Sequence, residues 1–348
     1  MRKRLLTFIA ACLYYSGIVK LALWSAQRSG QRLIILNYHR AGGGNLRRHL
    51  LYLRHHYCIL PLEAALEELY KPLAEGKRMR NQHMPLVLTF DDGYHDNYTH
   101  GFALTCEIQV PITIFLIPGY IESGDYFWWL EGQRLARRSQ VSEVTIEGRT
   151  YYLGSSREQR ALAQAIDTRL RYARSVAERE AFLATVRKAF DTPSNVTVEE
   201  EAVLPLTWEE VHKMEEGGWV SFGAHTMHHP ILAYLTDPQE VQGEVGECRT
   251  KLEKQLGHPV RIFAYPVGQL QHIGADVVHA VRQAGYDWAL TTRYGSNTPH
   301  SDPHLLRRIE VDVDQHWLVI AAKTAGLWGF FSRLRWLPAI RKYLTNSR

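Results

Sequence analysis

The chain has 348 residues, a formal net charge of +5 and 45% hydrophobic residues, which is the composition of a folded protein with a large core. Acidic and basic residues are interspersed, and the absence of a Lys/Arg stripe interleaved with aromatics argues against a nucleic-acid partner. The four cysteines, Cys12, Cys58, Cys106 and Cys248, have no C-x-x-C spacing, so we expect neither a disulfide framework nor a zinc ribbon.

Residues 1–30 are basic and then apolar. Three basic residues at 2–4 precede an apolar run over 5–19, which is typical of a secretory signal. Lys20 interrupts that run, and the large Trp24 stands where a cleavage site needs a small residue. Three interpretations stay open: a retained helix on a membrane surface, a cleaved or anchoring signal, and a soluble helix.

Seven short apolar runs are predicted strands, separated by segments of helical or loop composition. They are Leu33–Tyr38, Leu86–Phe90, Ile112–Ile117, Trp219–Ala224, Val260–Tyr265, Trp288–Thr291 and Leu305–Val311. Strands alternating with helices predict a parallel sheet or barrel, in which functional residues gather at the C-terminal ends of strands. The residues that follow four of these runs are His39, Asp91 with Asp92, His225, and Pro266.

Two adjacent carboxylates follow the second predicted strand, in the sequence Thr89-Phe90-Asp91-Asp92-Gly93. A buried carboxylate without a partner is costly, and two side by side also repel each other. A bound cation or a proton-transfer role would make the pair tolerable. Asp-Asp-Gly alone, however, is a common turn.

A long interruption, from about residue 119 to about residue 206, separates the third and fourth strands and is too long for a simple connection. Its part from Arg157 to Phe190 has apolar residues at helical spacing, which predicts one or two amphipathic helices. We therefore expect an inserted helical subdomain. The aromatic residues at 127–129 near its start either stack on a sugar ring or belong to a core.

His225 and His229 lie four residues apart, directly after the fourth predicted strand. One aspartate and two imidazoles suit a zinc-like ion and leave positions open for water and substrate, which is typical of a catalytic site. Such an ion lowers the pKa of bound water to about 7, and the second carboxylate can take the proton as the water attacks a carbonyl. A pair of histidines alone is a weak signal, but the combination predicts metal-assisted hydrolysis of an amide or ester.

Residues 321–348 again combine aromatic and basic side chains, as do segments that lie in a membrane interface. The alternative is a helix that packs its aromatics on the domain. The residues concerned are Trp328, Phe330, Phe331, Leu334, Trp336 and Leu337, with Arg333, Arg335, Arg341 and Lys342.

Thr89-Phe90-Asp91-Asp92-Gly93 together with His225-Thr226-Met227-His228-His229-Pro230 resembles the first two motifs of the polysaccharide deacetylases, the NodB-homology or carbohydrate esterase family 4 group. The resemblance spans most of residues 31–315, within a predicted domain of residues 31–320, and leaves the insertion outside the common core. It implies an α/β fold, a distorted (β/α)7 barrel with the helical insertion between the third and fourth strands.

The same resemblance implies roles for the site residues. Asp91 is the base, and Asp92, His225 and His229 bind a divalent metal, with zinc expected first and cobalt or nickel as alternatives. His228 has no role in the family, so we expect it beside the ligands or in solvent.

The third family motif matches in part. Phe263-Ala264-Tyr265-Pro266-Val267-Gly268 keeps the proline and glycine but has Ala264 where the family has the arginine that orients the catalytic aspartate. This segment, with the early Tyr38-His39-Arg40, resembles the exopolysaccharide-associated branch of the family. The resemblance places Tyr265, Pro266 and Val267 at the substrate, with the backbone N–H of Val267 as the oxyanion donor.

The family's last motif, Leu-x-His with a histidine as general acid, is replaced near Leu306-Arg307-Arg308-Ile309. His39 is one candidate for the acid, and a hydrogen-bonded structural histidine is the alternative. Arg307 or Arg308 would stabilise the oxyanion or bind an acidic group of the substrate, because an arginine does not readily give up its proton at neutral pH.

The predicted function is removal of N-acetyl groups from amino sugars in a polysaccharide or a lipid-linked glycan. Two alternatives stay open: a barrel that binds metal or glycan with weakened catalysis, suggested by Ala264 and the missing histidine, and an O-deacetylase on the same site. Both termini predict contact with a membrane surface. We expect the protein in the bacterial cell envelope, peripheral to or anchored at the inner membrane, with the side left open.

Overall fold

The computed structural model describes residues 2–28, 31–71, 83–190 and 196–327. The α-helices in these ranges are α1 (Arg2–Tyr15), α2 (Ile18–Arg28), α3 (Leu46–His56), α4 (Leu62–Tyr70), α5 (Ala103–Ile108), α6 (Pro118–Ser123), α7 (Trp128–Arg138), α8 (Ser156–Arg171), α9 (Val176–Ala189), α10 (Val198–Glu201), α11 (Trp208–Glu216), α12 (Pro238–Leu256), α13 (Gly274–Gln283) and α14 (Trp317–Thr324). A π-helical turn spans Asn97–Phe102, and 3₁₀ turns span Leu232–Tyr234 and Leu270–His272.

The strands form one large parallel sheet and one small hairpin. They are β1 (Ile34–Tyr38), β2 (Tyr57–Ile59), β3 (Met84–Phe90), β4 (Ile112–Leu116), β5 (Glu143–Ile146), β6 (Arg149–Tyr152), β7 (Val220–Ala224), β8 (Ile262–Ala264), β9 (Trp288–Leu290) and β10 (Ile309–Glu310). The sheet has eight strands in the order β10-β1-β3-β4-β7-β8-β9, with β2 paired to β3 beside this path. The antiparallel hairpin is β5-β6.

The segment before β10 brings the two ends of the sheet together. Leu306 forms a parallel bridge with Leu290 of β9, and Ile309 and Glu310 pair with β1 a few residues later. The curled parallel sheet with surrounding helices confirms the predicted α/β barrel class. Each of the seven predicted runs contains a strand, and the short β2 is a strand that the patterning missed.

The sheet is covered on both faces, which explains why its strands read as continuous apolar runs. All five residues of β1 are buried. Ile34, Leu36 and Tyr38 contribute to one hydrophobic cluster, whereas Ile35 contributes to a second one with Val87 of β3. This alternation follows from the period of two along a strand.

The region between β4 and β7 contains α6 to α11 and the hairpin, and the part before α11 has its own hydrophobic core. Phe127 and Trp128 are buried in this core together with Leu162 and Ile166 of α8. Two helices, α8 and α9, lie in the stretch for which one or two amphipathic helices were predicted. The subdomain boundaries at about 119 and 206 stay a prediction. We refer to residues 119–206 as the insertion.

The N-terminal helices pack on the barrel. Ala10 of α1 contacts the cluster of Leu318, Val319 and Ala322 on α14, and Val19 of α2 joins the main core. No single helix in the described ranges meets the length and hydropathy needed to span a bilayer, whereas α1 and α2 meet it as a pair bent by 68°. The aromatic and basic residues predicted at 328–348 lie outside the described residues.

Candidate active site

Polar residues follow neighbouring strands at the C-terminal edge of the sheet. Asp91 and Asp92 come directly after β3, and His225 comes directly after β7. Because β3, β4 and β7 are parallel neighbours, the ends of these strands lie at the same edge. The structure thus brings together carboxylates and imidazoles that are more than 130 positions apart in the chain.

Asp92, His225 and His229 form a compact buried set of potential metal ligands, with one ligand atom from each lying within 4.8 Å of the others. Nε2 of His225 is 3.4 Å and Nε2 of His229 is 3.5 Å from Oδ1 of Asp92. Ligand atoms bound at 2.0–2.1 Å to one tetrahedral ion lie about 3.4 Å from each other. The observed spacing therefore fits a zinc-sized ion.

The protonation of the two imidazoles also suits a metal. Nδ1 of His225 donates to the carbonyl of Ala264 at 2.7 Å, which leaves Nε2 of this ring facing Asp92. Burial opposes a charged His225, but the two aspartates outweigh it and raise the pKa of His225. Burial and the charge of His225 lower the pKa of His229 to about 3, so His229 is neutral and its lone pair is free. A divalent ion in place of the proton on His225 would satisfy the same carboxylates.

Asp91 is bound by an arginine from the segment directly before β10. Nη1 and Nη2 of Arg308 donate to Oδ1 and Oδ2 of Asp91 at 2.7 and 2.8 Å, in a bidentate pair that is almost fully buried. Nε of Arg308 donates to the carbonyl of Thr291, which fixes the plane of the guanidinium. Burial alone would raise the pKa of Asp91, but the charge of Arg308 overcomes it and holds this pKa well below its usual range. Asp91 is therefore ionised at neutral pH.

This pair corrects one expectation from the sequence. Ala264 predicts that the orienting arginine of Asp91 is missing, whereas Arg308 reaches the same carboxylate from the segment before β10. Both terminal nitrogens of Arg308 donate to Asp91, so its guanidinium does not face outward as an oxyanion donor. Arg307, which was predicted to contact substrate, is exposed and its backbone is held by Asn297.

The remaining predicted residues are placed as follows. His39 is half-buried after β1. Burial opposes the low pKa of Asp92, and the hydrogen bond of His225 is the largest contribution that lowers it, with His39 a smaller one for Asp92 and for Asp91. The side chain of Tyr265, which was predicted at the substrate, is buried in the core, and its hydroxyl donates to the carbonyl of His304. Pro266 is buried too, while Val267 is partly exposed with a left-handed φ of 59°.

His228 points to α12 rather than to the ligand set. Its Nδ1 donates to Oε1 of Glu244 at 2.6 Å and its backbone N–H donates to Oε2 of the same buried carboxylate. The hydrogen bond and charge of Glu244 raise the pKa of His228. His228 thus fixes the ligand loop to α12, which agrees with a place beside the ligands.

One of the aromatic side chains at 127–129, for which the sequence left sugar stacking and a core position open, reaches the site from the insertion. The ring of Trp129 is half-buried and its centre lies 4.3 Å from the ring of His229. Its Nε1 donates to the hydroxyl of Tyr94 at 2.8 Å, and it stacks on Phe127. Of the three neighbouring aromatics considered for sugar stacking, Phe127 and Trp128 are core residues and Trp129 borders the ligand set.

A family model described as polysaccharide deacetylase matches residues 79–289, which is more than half of the chain. The chain belongs to the polysaccharide deacetylase family. The predicted family is thereby confirmed. A curated relative from Bacillus subtilis, named "Putative polysaccharide deacetylase YxkH", is 28% identical over 106 residues, 30% of this chain. The match spans 36% of the length of that relative.

Solved structures of deacetylases have the same fold. Streptococcus pyogenes deacetylase PplD, in complex with acetate, is 16% identical with a TM-score of 0.54, over 85% of this chain and 99% of that one. IcaB from Ammonifex degensii is 18% identical with a TM-score of 0.52, over 85% and 98% of the two chains. The deacetylase domain of Bordetella bronchiseptica BpsB is 15% identical with a TM-score of 0.50, over 82% and 97%. At these identities the likeness establishes the polysaccharide deacetylase fold.

Proposed function

We propose that the protein is a metal-dependent hydrolase that removes N-acetyl groups from amino sugars of a polysaccharide or lipid-linked glycan. The observation that carries this proposal is the buried set of Asp92, His225 and His229 beside an Asp91 that Arg308 keeps ionised. Membership of the polysaccharide deacetylase family supports the reaction type. The Phe-Ala-Tyr-Pro segment supports an exopolysaccharide as the substrate class.

A divalent ion held by Asp92, His225 and His229, zinc by the donor set, would polarise the amide carbonyl and make water more acidic. Asp91 takes the proton of the attacking water, because its ion pair keeps it deprotonated at the working pH. Arg308 also fixes the orientation of the Asp91 carboxylate through both oxygens, so that the base is held in one geometry.

Two further groups serve the later part of the reaction. The backbone N–H of Val267, at the C-terminal edge of the sheet, is our candidate donor to the tetrahedral oxyanion. His39 lies close enough to both aspartates to affect their pKa, and we assign it the proton for the leaving amine.

Arg308 removes one reason for the alternative of a barrel with weakened catalysis. Ala264 suggested a base without its orienter, but Asp91 has a bidentate arginine partner. The O-deacetylase alternative uses the same residues and differs in product only. Treating N-acetylglucosamine oligosaccharides and an O-acetylated glycan with the metal-loaded protein distinguishes the two, since only N-deacetylation yields a primary amine. New amine groups support the proposal, and acetate release without them contradicts it.

We also propose that α1 and α2 contact a membrane. Each helix packs one side on the barrel and turns an apolar stripe outward. The stripe, called the N-terminal stripe below, consists of Leu5, Phe8, Tyr15, Ile18, Leu21 and Trp24, with side chains 44–76% exposed. The spacing of three to seven residues places these side chains on one face of each helix. A run of exposed apolar side chains on one face is typical of an interaction site.

Charge favours an anionic bilayer as the partner of the N-terminal stripe. Arg4 and Lys20 are exposed on the same two helices, as is Lys3, which lies 3.4 Å from Asp314, and the chain has no acidic residue before Glu63. Each basic side chain close to an anionic membrane contributes about 1 kcal/mol to binding. We therefore place the protein at the inner membrane of the bacterial envelope, where lipid-linked saccharides would be accessible.

Vesicle co-sedimentation of the full chain tests this contact. We expect binding to phosphatidylglycerol-containing vesicles, weakened by salt, and a loss of about tenfold or more in the variant Phe8→Ser/Leu21→Ser/Trp24→Ser. The matched control, Tyr152→Ser/Leu270→Ser, removes exposed hydrophobics elsewhere and should bind normally. The proposed contact is contradicted if both variants bind equally or if the wild type does not bind. It is also contradicted if the mature chain from the envelope lacks residues 1–26.

A further inference from the structure

The loop that carries the second histidine ligand is held in a strained conformation. Thr226 and His229 have φ values of 65° and 56°, a left-handed region that costs a non-glycine residue about 1–2 kcal/mol. Within the loop, the hydroxyl of Thr226 accepts from the N–H of His229 at 2.9 Å. The loop therefore keeps its shape because surrounding groups restrain it.

Much of that restraint comes from the insertion. Three successive carbonyl oxygens of the loop, those of Met227, His228 and His229, accept hydrogen bonds from residues 119, 179 and 128 of the insertion. The N–H of Gly119 donates to Met227 at 2.9 Å. A Cβ at Gly119 would lie 2.5 Å from the same oxygen, so only glycine allows this close approach.

Arg179 and Trp128 bind the carbonyls nearest to the ligand. Nη2 of Arg179 donates to the carbonyl of His228 at 2.9 Å, and Nη1 lies 3.4 Å from the carbonyl of His229. Nε1 of Trp128 donates to the carbonyl of His229 at 3.0 Å. Both side chains are 2% exposed, and the guanidinium lies 5.7 Å from the centre of the indole ring. Among the described residues, every hydrogen bond to these two carbonyls comes from the insertion.

The two histidine ligands are therefore oriented by different means. His225 is fixed through its ring, because its Nδ1 donates to the backbone carbonyl of Ala264. Nδ1 of His229 is buried and has no hydrogen-bond partner in the described part of the chain. A ring without such a partner depends on its backbone and on packing for its direction, and here Trp129 supplies the packing.

We propose that the insertion is part of the metal centre, with Arg179 and Trp128 as positioning residues that direct His229 towards the ion. The inference rests on the proposed metal site and not on the deacetylation reaction. It assigns a function to the insertion, and it means that the barrel alone does not complete the site.

Metal affinity of the full chain separates positioning from general stability. Arg179→Met should weaken Zn²⁺ and Co²⁺ binding by about 10- to 100-fold, with a changed visible spectrum of bound Co²⁺. Trp128→Phe removes one donor to His229 and should have a smaller effect of the same sign. Arg179→Lys restores one donor and the charge, and should recover part of the affinity.

Arg187→Met is the matched control, because Arg187 lies on the same helix, α9, and binds the fully buried Glu131 at 2.7 Å without touching the loop. We expect it to lower the thermal midpoint of unfolding and to leave metal affinity unchanged. Unchanged affinity in Arg179→Met, or an equal loss in Arg187→Met, overturns the inference while leaving the proposed function intact. A wild type that binds neither ion overturns both.

Discussion

Arg308 and Asp91 form the interaction on which the proposed chemistry depends. Removing two charges from water is costly, and the cost is offset only by good geometry and full hydrogen bonding. Both conditions hold, because the guanidinium binds both carboxylate oxygens, the carbonyl of Thr291 and the side chain of Asn37. A buried base that stays ionised is what proton transfer from water requires.

We expect Arg308→Gln to lower activity and stability together. Without the guanidinium the pKa of Asp91 rises, so the base is protonated over a wider range and the acidic limb of the pH–rate profile moves to higher pH. The unpaired buried carboxylate should also lower the free energy of unfolding by about 3–5 kcal/mol. Acetate release against pH and urea unfolding measure the two effects.

Arg307→Gln is the control for this prediction, since Arg307 is the exposed neighbour of Arg308. Its pH–rate profile and unfolding curve should match the wild type. A profile for Arg308→Gln whose acidic limb does not move would show that Asp91 is not the base.

The sequence indicates Asp91, Asp92, His225 and His229 because each follows an apolar strand, where charge is out of place. It does not reveal the partner of Asp91, which lies 217 positions away and is brought to it by the pairing of β10 with β1 and of β1 with β3. One signal was available: an arginine inside the apolar run Leu305–Val311 must be paired when that run is buried. The pattern does not say with which acid.

At the level of elements, His49 of α3 connects three parts of the barrel. Its Nε2 donates to the carbonyl of Gln315 ahead of α14 at 2.8 Å, and Nδ1 lies 3.4 Å from the hydroxyl of Tyr38 at the end of β1. Burial lowers the pKa of His49 from 6.5 to about 4, against weaker opposing contributions from Gln315 and Asp312. His49 is therefore neutral in the folded protein at pH 7.

This pKa makes stability dependent on pH in a defined window. The unfolded chain takes up the proton near pH 6.5 and the folded protein only near pH 4. The contribution of neutral His49 to the free energy of unfolding is therefore complete above pH 6.5 and is lost as pH falls to about 4. The loss is on the order of 3 kcal/mol. Urea unfolding of wild type and His49→Gln at several pH values should show a shallower acid dependence in the variant, and parallel curves would refute this role.

Most strands and the helices α8 and α9 of the insertion were predictable because their patterns are local and repeat over several residues. The short β2 was missed because three residues carry too little pattern, and its pairing with β3 depends on tertiary context. The contacts of Arg179, Trp128 and Trp129 with the ligand loop were missed for a different reason. They depend on how the insertion packs on the barrel, and an arginine or tryptophan in an amphipathic segment does not identify its partner.

At the scale of the whole molecule, metal binding and folding should be linked. The ligands come from the turn after β3 and from the loop after β7, so they form a site only in the folded chain. An ion that binds the folded state alone stabilises it by about 4 kcal/mol at a thousandfold excess over its dissociation constant. Addition of Zn²⁺ should therefore raise the thermal midpoint of the wild type.

Asp92→Asn is the variant that tests this linkage. Asp92 has a φ of 74°, a conformation that asparagine also tolerates, so the exchange removes the charge without forcing the backbone to change. We expect the variant to fold and to lose most of the zinc-induced shift in differential scanning calorimetry. A shift equal to that of the wild type would place the metal elsewhere.

The most direct test of the central claim is acetate release from N-acetylglucosamine oligosaccharides by the full chain loaded with Zn²⁺ or Co²⁺, compared with Asp91→Asn. We expect metal-dependent release by the wild type and a rate lower by about 10²- to 10⁴-fold in the variant, with metal binding retained. No release from a panel of such substrates by metal-loaded wild type, or equal rates for the two proteins, would contradict the claim that Asp91 and the Asp92-His225-His229 set form a deacetylase site.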